Sequence, residues 1–194
     1  YKLMGLAPYG QPKYKNLIES ELIDIKDDGS FRLNQAYLNY SVGLTMTNKK
    51  FDELFGAPAR QEGEEFGQFH MDIAASIQAI TEEIVIKLSK SLGKETGIKN
   101  LCLSGGVALN CVANGKLLKE KIFDDIWIQP ASGDAGSALG AALIGWHDYL
   151  KKPRKINPND SMKGTFLGCE FSNNEITTYL RKINANFKFF KDEE

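Results

Sequence analysis

Leu101-Cys-Leu-Ser-Gly-Gly-Val-Ala-Leu-Asn110 and, about twenty residues on, Pro130-Ala-Ser-Gly-Asp-Ala-Gly-Ser-Ala-Leu-Gly140 decide how this chain is read. In each case an apolar strand, 100–103 or 125–129, stops at small residues, and the chain restarts as a helix, about 107–119 or about 135–149. Strands alternating with helices predict an α/β sheet with parallel pairing, and ligands of such sheets collect at the C-terminal strand ends, where both glycine turns fall. Glycines there let backbone N–H groups approach a ligand, and the helix start adds partial positive charge suited to an anion or nucleotide. Two such turns in succession point to a composite site. Asp134 is the only carboxylate in either turn, which makes it the candidate metal or polar-substrate contact. The same aspartate, just before Ala135-Gly-Ser-Ala-Leu, also reads as an ordinary helix N-cap, and spacing does not separate the two roles.

Upstream, Ile73, Ile77, Ile80, Ile84, Leu88 and Leu92 recur at three- and four-residue steps and predict one long helix from about Phe69 to Thr96, ended by Gly97. Its apolar stripe is expected to be core. Leu22 to Ile25 and Phe31 to Leu33 flank Asp27-Asp28-Gly29 and predict a β-hairpin. A short helix is expected over Lys49 to Phe55, closed by Gly56-Ala-Pro58, with an exposed loop to Gly67. The opening Tyr1 to Gly10 reads as a loop, because Pro8 and Gly10 favour a turn.

Downstream, Lys151-Lys-Pro-Arg-Lys-Ile-Asn-Pro-Asn-Asp160 combines charge and two prolines with no apolar period. It reads as a solvated linker, which gives three expected segments: 1–150, a linker at 151–165, and the start of a second domain at 166–194. Ser172-Asn-Asn-Glu175 has capping-box spacing ahead of a helix through Ile176, Leu180 and Ile183, and Phe187, Phe189 and Phe190 suggest a strand cut short by the acidic end.

Composition narrows the classes. At 194 residues, 42% hydrophobic and 25% charged, the chain is long and apolar enough to bury a core. A net charge of −1 supplies no global field toward nucleic acid or an anionic membrane, and no apolar run reaches the ~20 residues that span a bilayer. Cys102, Cys111 and Cys169 form no CxxC pair, so they read as reduced thiols of a cytoplasmic protein, with Cys102 a small core residue of its strand. His70 and His147 stand far apart, and neither supports a metal site alone.

Four ordered stretches carry a resemblance. Lys2-Leu-Met-Gly-Leu-Ala-Pro-Tyr-Gly10, Asp72-Ile-Ala-Ala-Ser-Ile-Gln78, Leu103-Ser-Gly-Gly-Val-Ala-Leu-Asn-Cys-Val-Ala-Asn-Gly115 and Ile128-Gln-Pro-Ala-Ser-Gly-Asp-Ala-Gly136 resemble the O-carbamoyltransferases of nodulation-factor and antibiotic biosynthesis. The likeness covers roughly residues 1–145, and Phe166 to Ile176 resembles the entry to that family's second domain. It implies the C-terminal half of an actin-like ATPase domain, of the sugar-kinase and Hsp70-like class, truncated, with a mixed sheet and flanking helices. It further implies an ATP-dependent enzyme whose second domain makes carbamoyl adenylate from ATP and carbamoyl phosphate and whose first domain passes the carbamoyl group to a small-molecule hydroxyl.

By the same resemblance Ser104, Gly105, Gly106, Val107, Asn110 and Gly133 would line the nucleotide pocket. Asp134 would be the metal-binding aspartate of a divalent, iron-like ion that acts as a Lewis acid. The residues alone also allow Asn110 and Asn114 to be a polar helix face, and Lys2 and Tyr9 to serve only a turn. The family's paired histidines have no HxxxH counterpart here, and the resemblance places them N-terminal of Tyr1, so this sequence reads as an incomplete fragment that does not complete catalysis alone. Two other classes stay open: a threonylcarbamoyl-transfer or ATP-dependent phosphotransferase relative, and a non-catalytic nucleotide-binding or assembly module. Oligomeric state is open as well, with the long helix one candidate face for a homodimer.

Overall fold

The computed structural model describes residues 2–159, 162–165 and 167–190. The chain is mixed α/β, organised around one long helix. In order, α1 (Lys2–Leu6) runs into a 3-10 turn (Ala7–Tyr9), then come α2 (Lys15–Glu21), β1 (Ile23–Ile25), β2 (Phe31–Leu33), α3 (Lys49–Phe55) and α4 (Gln68–Thr96). They are followed by β3 (Asn100–Leu103), a 3-10 turn (Gly106–Leu109), α5 (Cys111–Lys119), β4 (Asp125–Ile128), α6 (Asp134–Ile144) and α7 (Asn173–Lys182).

The periodic isoleucines do build α4, whose 29 residues at ~1.5 Å each make it about 40 Å long. It stops where Gly97 turns left-handed at φ 64°. The helix serves two cores. Ile80 and Ile84 pack with Ile18, Leu22, Ile23 and Phe55, while Val85 contributes to a second cluster of Leu101, Leu117 and Phe123. The expected core stripe ends at Ile84, however: Leu88 and Leu92 are each 44% exposed. Periodicity fixes the face of a helix, but burial also needs a neighbour along its whole length.

The hairpin forms as expected, β1 antiparallel to β2, with Ile23 opposite Leu33. α3 is capped by the Asn48 side chain, which accepts from Lys50 and Phe51 N–H, and closed by left-handed Gly56. The parallel pairing of β3 with β4 also forms, Leu101 opposite Ile126 and Cys102 opposite Trp127. It belongs to a separate two-stranded sheet, so the strands make two small sheets in place of the single mixed one expected.

Several local expectations are corrected. The opening segment is helical at Lys2–Leu6, because Pro8 sits at the start of the following 3-10 turn, where a missing N–H costs no helical bond. Cys102 is exposed and is no core residue. Strand alternation turns Leu101 inward against Leu117 and Phe123, so Cys102 and its partner Trp127 share the opposite, exposed face. The helix expected from about 107 begins as a 3-10 turn, with α5 starting only at Cys111, and the helix expected to 149 changes to a π turn over Gly145–Tyr149.

α7 starts at the expected capping box, in which Ser172 Oγ accepts from Glu175 N–H and Glu175 reaches back to Ser172 N–H. No strand forms at Phe187 to Phe190, which are without regular structure. Residues 151–159 likewise carry no helix or strand. Phe166, Asp160, Ser161 and the acidic end at 191–194 lie outside the described residues. No helix among the described residues is long and apolar enough to cross a membrane.

Candidate functional site

The parallel register puts Leu103 opposite Ile128, so both strands end at the same edge and both glycine turns leave from it. Two backbone bonds tie the turns together: Gln129 N–H donates to Leu103 O at 3.1 Å, and Gly105 N–H donates to Ser132 O at 2.9 Å. Gly105 makes its bond at φ +100° and ψ 164°, a conformation open in practice to glycine alone. In the second turn Gly136 is required by space, since a Cβ there would lie 2.1 Å from the Ala131 carbonyl oxygen. Ser104, Gly105, Gly106 and Val107 form an exposed rim, with Val107 59% exposed. Gly133 is half-buried beside it. The N–H of Gly106 opens the 3-10 turn and is one of the donors that such a start leaves free for a ligand.

Asn110 is placed differently from the rim. It is buried, and its Oδ1 caps α5 by accepting Ala113 N–H at 3.1 Å. The same amide forms a two-bond ring with Gln78 of α4: Asn110 Nδ2 donates to Gln78 Oε1 at 2.9 Å, and Gln78 Nε2 donates to Asn110 Oδ1 at 3.1 Å. Asn114 is also engaged, donating to Ala108 O at 2.7 Å. Both asparagines therefore shape the first turn from behind.

Asp134 is exposed and occupies the first position of α6, while the N-cap residue is Gly133. The capping role is corrected accordingly, and among the described residues the Asp134 carboxylate has no hydrogen-bond or ion-pair partner. It is free to take a cation or a polar ligand at the end of the second turn. Towards a metal it offers a single carboxylate. No group of three or more His, Cys, Asp or Glu side chains comes together among the described residues, so Asp134 could serve as one ligand of a metal but these residues do not complete a metal site by themselves.

The opening segment is held to α4 by a second polar cluster. Asp72, 2% exposed, accepts from Gln11 N–H at 2.8 Å, from Gln68 Nε2 at 2.8 Å and from Lys13 Nζ at 2.6 Å. The Lys13 ammonium, the Gln11 N–H and the Gln68 amide hold its carboxyl well below the usual range, at about 2. Ser76 accepts from Tyr14 N–H at 3.0 Å and donates to Asp72 O at 2.6 Å. Lys2 lines a mainly apolar cavity of about 640 Å³ with Phe51, Phe55, Arg60, Phe66 and His70, whereas Tyr9 is 70% exposed. That cavity takes no lining residue from either glycine turn.

The family model described as carbamoyltransferase N-terminus matches residues 1–143, a stretch that contains both turns and the whole of α4. This chain belongs to that family. Relatives of this chain include the uncharacterized protein sll1178 of Synechocystis, 57% identical over the whole of this chain and 32% of the relative. Nodulation protein NolO of Bradyrhizobium diazoefficiens is 38% identical over 91% of the chain and 30% of its own length. Nodulation protein NolNO of Sinorhizobium fredii is 44% identical over 74% of the chain and 20% of its own length. The chain thus spans a third or less of the length of each of these relatives.

Sequence reasoning found the rim and Asp134 through their glycines. It assigned no role to Asp72, Ser76 or Gln78, although polar residues on the isoleucine-rich α4 were visible, because their partners lie 32 to 62 positions away.

Proposed function

We propose that this chain is part of an ATP-dependent O-carbamoyltransferase, in which the two glycine turns hold the nucleotide end of a carbamoyl adenylate. The observation that carries the reading is the bond from Gly105 to Ser132, which joins the turns at one strand edge within the stretch matched by the carbamoyltransferase model. In this reading the domain is a truncated actin-like half, and carbamoyl phosphate and ATP supply the adenylate. The acceptor is a small molecule bearing a hydroxyl.

The chemistry asks little of this chain beyond placement and charge. The acceptor oxygen bonds to the carbamoyl carbon, the bond from that carbon to the phosphate oxygen breaks, and AMP departs with the electron pair while the hydroxyl proton goes to a base. Free N–H groups at the start of the 3-10 turn and at the N-terminus of α6 stabilise the phosphate that accumulates charge. Open glycines at 105 and 106 let the nucleotide lie against backbone, and Val107 offers apolar surface to it. Asp134, being exposed and unpartnered, is the residue of this chain that would donate to an iron-like divalent ion, whose chemistry when bound is Lewis-acid polarisation.

The test is an assay of the full-length protein with ATP, labelled carbamoyl phosphate and a panel of hydroxyl acceptors, following AMP release and label transfer separately. Carbamoyl-phosphate-dependent AMP release with label on an acceptor is expected. ATP turnover that ignores carbamoyl phosphate would replace this reading with a phosphotransferase.

A further inference from the structure

We propose that Gln78, in the N-terminal half of α4, is a positioning residue that sets the first glycine turn for nucleotide by orienting the Asn110 side chain. The inference rests on the reading of that turn as a nucleotide site. Gln78 is 8% exposed, and a buried amide at that position is stabilised by its polar partners.

Those partners form a directional chain. Glu82, 6% exposed, is a carboxylate and only accepts, so the end of Gln78 that faces it must be the NH2 group, which donates to Glu82 Oε1 at 2.8 Å. That leaves Gln78 Oε1 to accept from Asn110 Nδ2, and the Asn110 amide is thereby oriented with Oδ1 toward Ala113 N–H. With the amide reversed, two N–H donors would face each other at the helix cap. Glu82 is itself paired with Lys116 of α5, so the circuit leaves α5 and returns to it, clamping the first turns of that helix to α4.

Asn110 is also the residue at which the glycine turn ends. Its own N–H donates to Val107 O at 2.9 Å, closing the 3-10 turn over Gly106–Leu109. The position of its side chain therefore fixes where the exposed rim of Ser104 to Val107 is anchored. Gln78 has no exposed surface of consequence with which to touch a ligand, and it acts through Asn110.

The experiment measures direct binding of AMP and of ATP to the full-length protein by calorimetry, in wild type, Gln78→Leu, Asn110→Ala and the double variant. Ile84→Ala is the stability control, since it lies on α4 in the apolar cluster with Ile18, Leu22, Ile23 and Phe55. Gln78→Leu is expected to weaken nucleotide binding about tenfold, a change of the size that one lost buried hydrogen-bonded pair supports. Asn110→Ala should weaken it by a similar factor, with no further loss in the double variant. Ile84→Ala should lower thermal stability yet leave nucleotide affinity unchanged. Where Gln78→Leu does not fold, Gln78→Asn, which withdraws the amide by one methylene, is read in the same way. Unchanged affinity in a folded Gln78 variant, or additive losses in the double variant, overturns the inference while leaving the nucleotide site standing. Failure of wild type to bind either nucleotide overturns the site reading itself, and this inference with it.

Discussion

Replacing Gly106 by alanine separates two reasons for a glycine in the first turn. At Gly105 the backbone sits at φ +100°, so Gly105→Ala places an ordinary residue in a region of conformational strain and is expected to cost about 1–3 kcal/mol of folding stability. A Cβ at Gly105 would nevertheless meet no described atom within 4 Å, so the whole cost is backbone strain. At Gly106 there is neither obstacle: the residue begins the 3-10 turn, its φ is not positive, and a Cβ would again meet no described atom within 4 Å. Gly106→Ala should therefore be neutral or stabilising, by up to about 1 kcal/mol, because alanine narrows the unfolded ensemble. If the rim cradles a nucleotide, the added methyl group occupies space that the ligand needs, and affinity falls while stability does not. The assay pairs thermal unfolding of the full-length protein with nucleotide binding for the two variants. Loss of stability in Gly106→Ala, or unchanged affinity in a variant that folds normally, would refute the reasoning.

Three further outcomes follow from the packing and charge. Leu117→Ala empties the centre of the second core, where the side chain is 1% exposed, and should cost about 2–5 kcal/mol, measured by denaturant unfolding. Asp72, held at about 2 against an ordinary 3.8, is a depressed carboxyl, so its contribution to stability is complete above the ordinary value and disappears as pH falls through the window from about 4 to 2. Asp72→Asn should flatten that part of the stability profile in acid titrations and leave neutral-pH unfolding cooperative; a profile identical to wild type would show that the Lys13 contact is not formed. Ser172→Ala removes the cap of α7 and should cost that helix about 0.5–2 kcal/mol, read as faster amide exchange across Asn173–Lys182.

What the sequence made legible was periodic or local. The isoleucine repeat located α4 to within a residue, Gly56 closed α3 where expected, and the two glycine turns fell at the ends of paired parallel strands. What it did not show depends on which faces find neighbours. Cys102 looked like core because its strand is apolar, but only alternate residues of β3 reach Leu117 and Phe123. The opening helix was hidden by Pro8, which lies just beyond it. Asp72 and Gln78 gave no signal of their roles, because those roles depend on residues brought in from the opening segment and from α5.

The most direct test of the account is hydrogen–deuterium exchange on the full-length protein with and without AMP. Slowed exchange confined to peptides covering 104–110 and 130–136 is the predicted result. Protection that instead falls on the cavity formed by Lys2, Phe66 and His70, or on neither turn, would contradict the claim that these two turns hold the nucleotide.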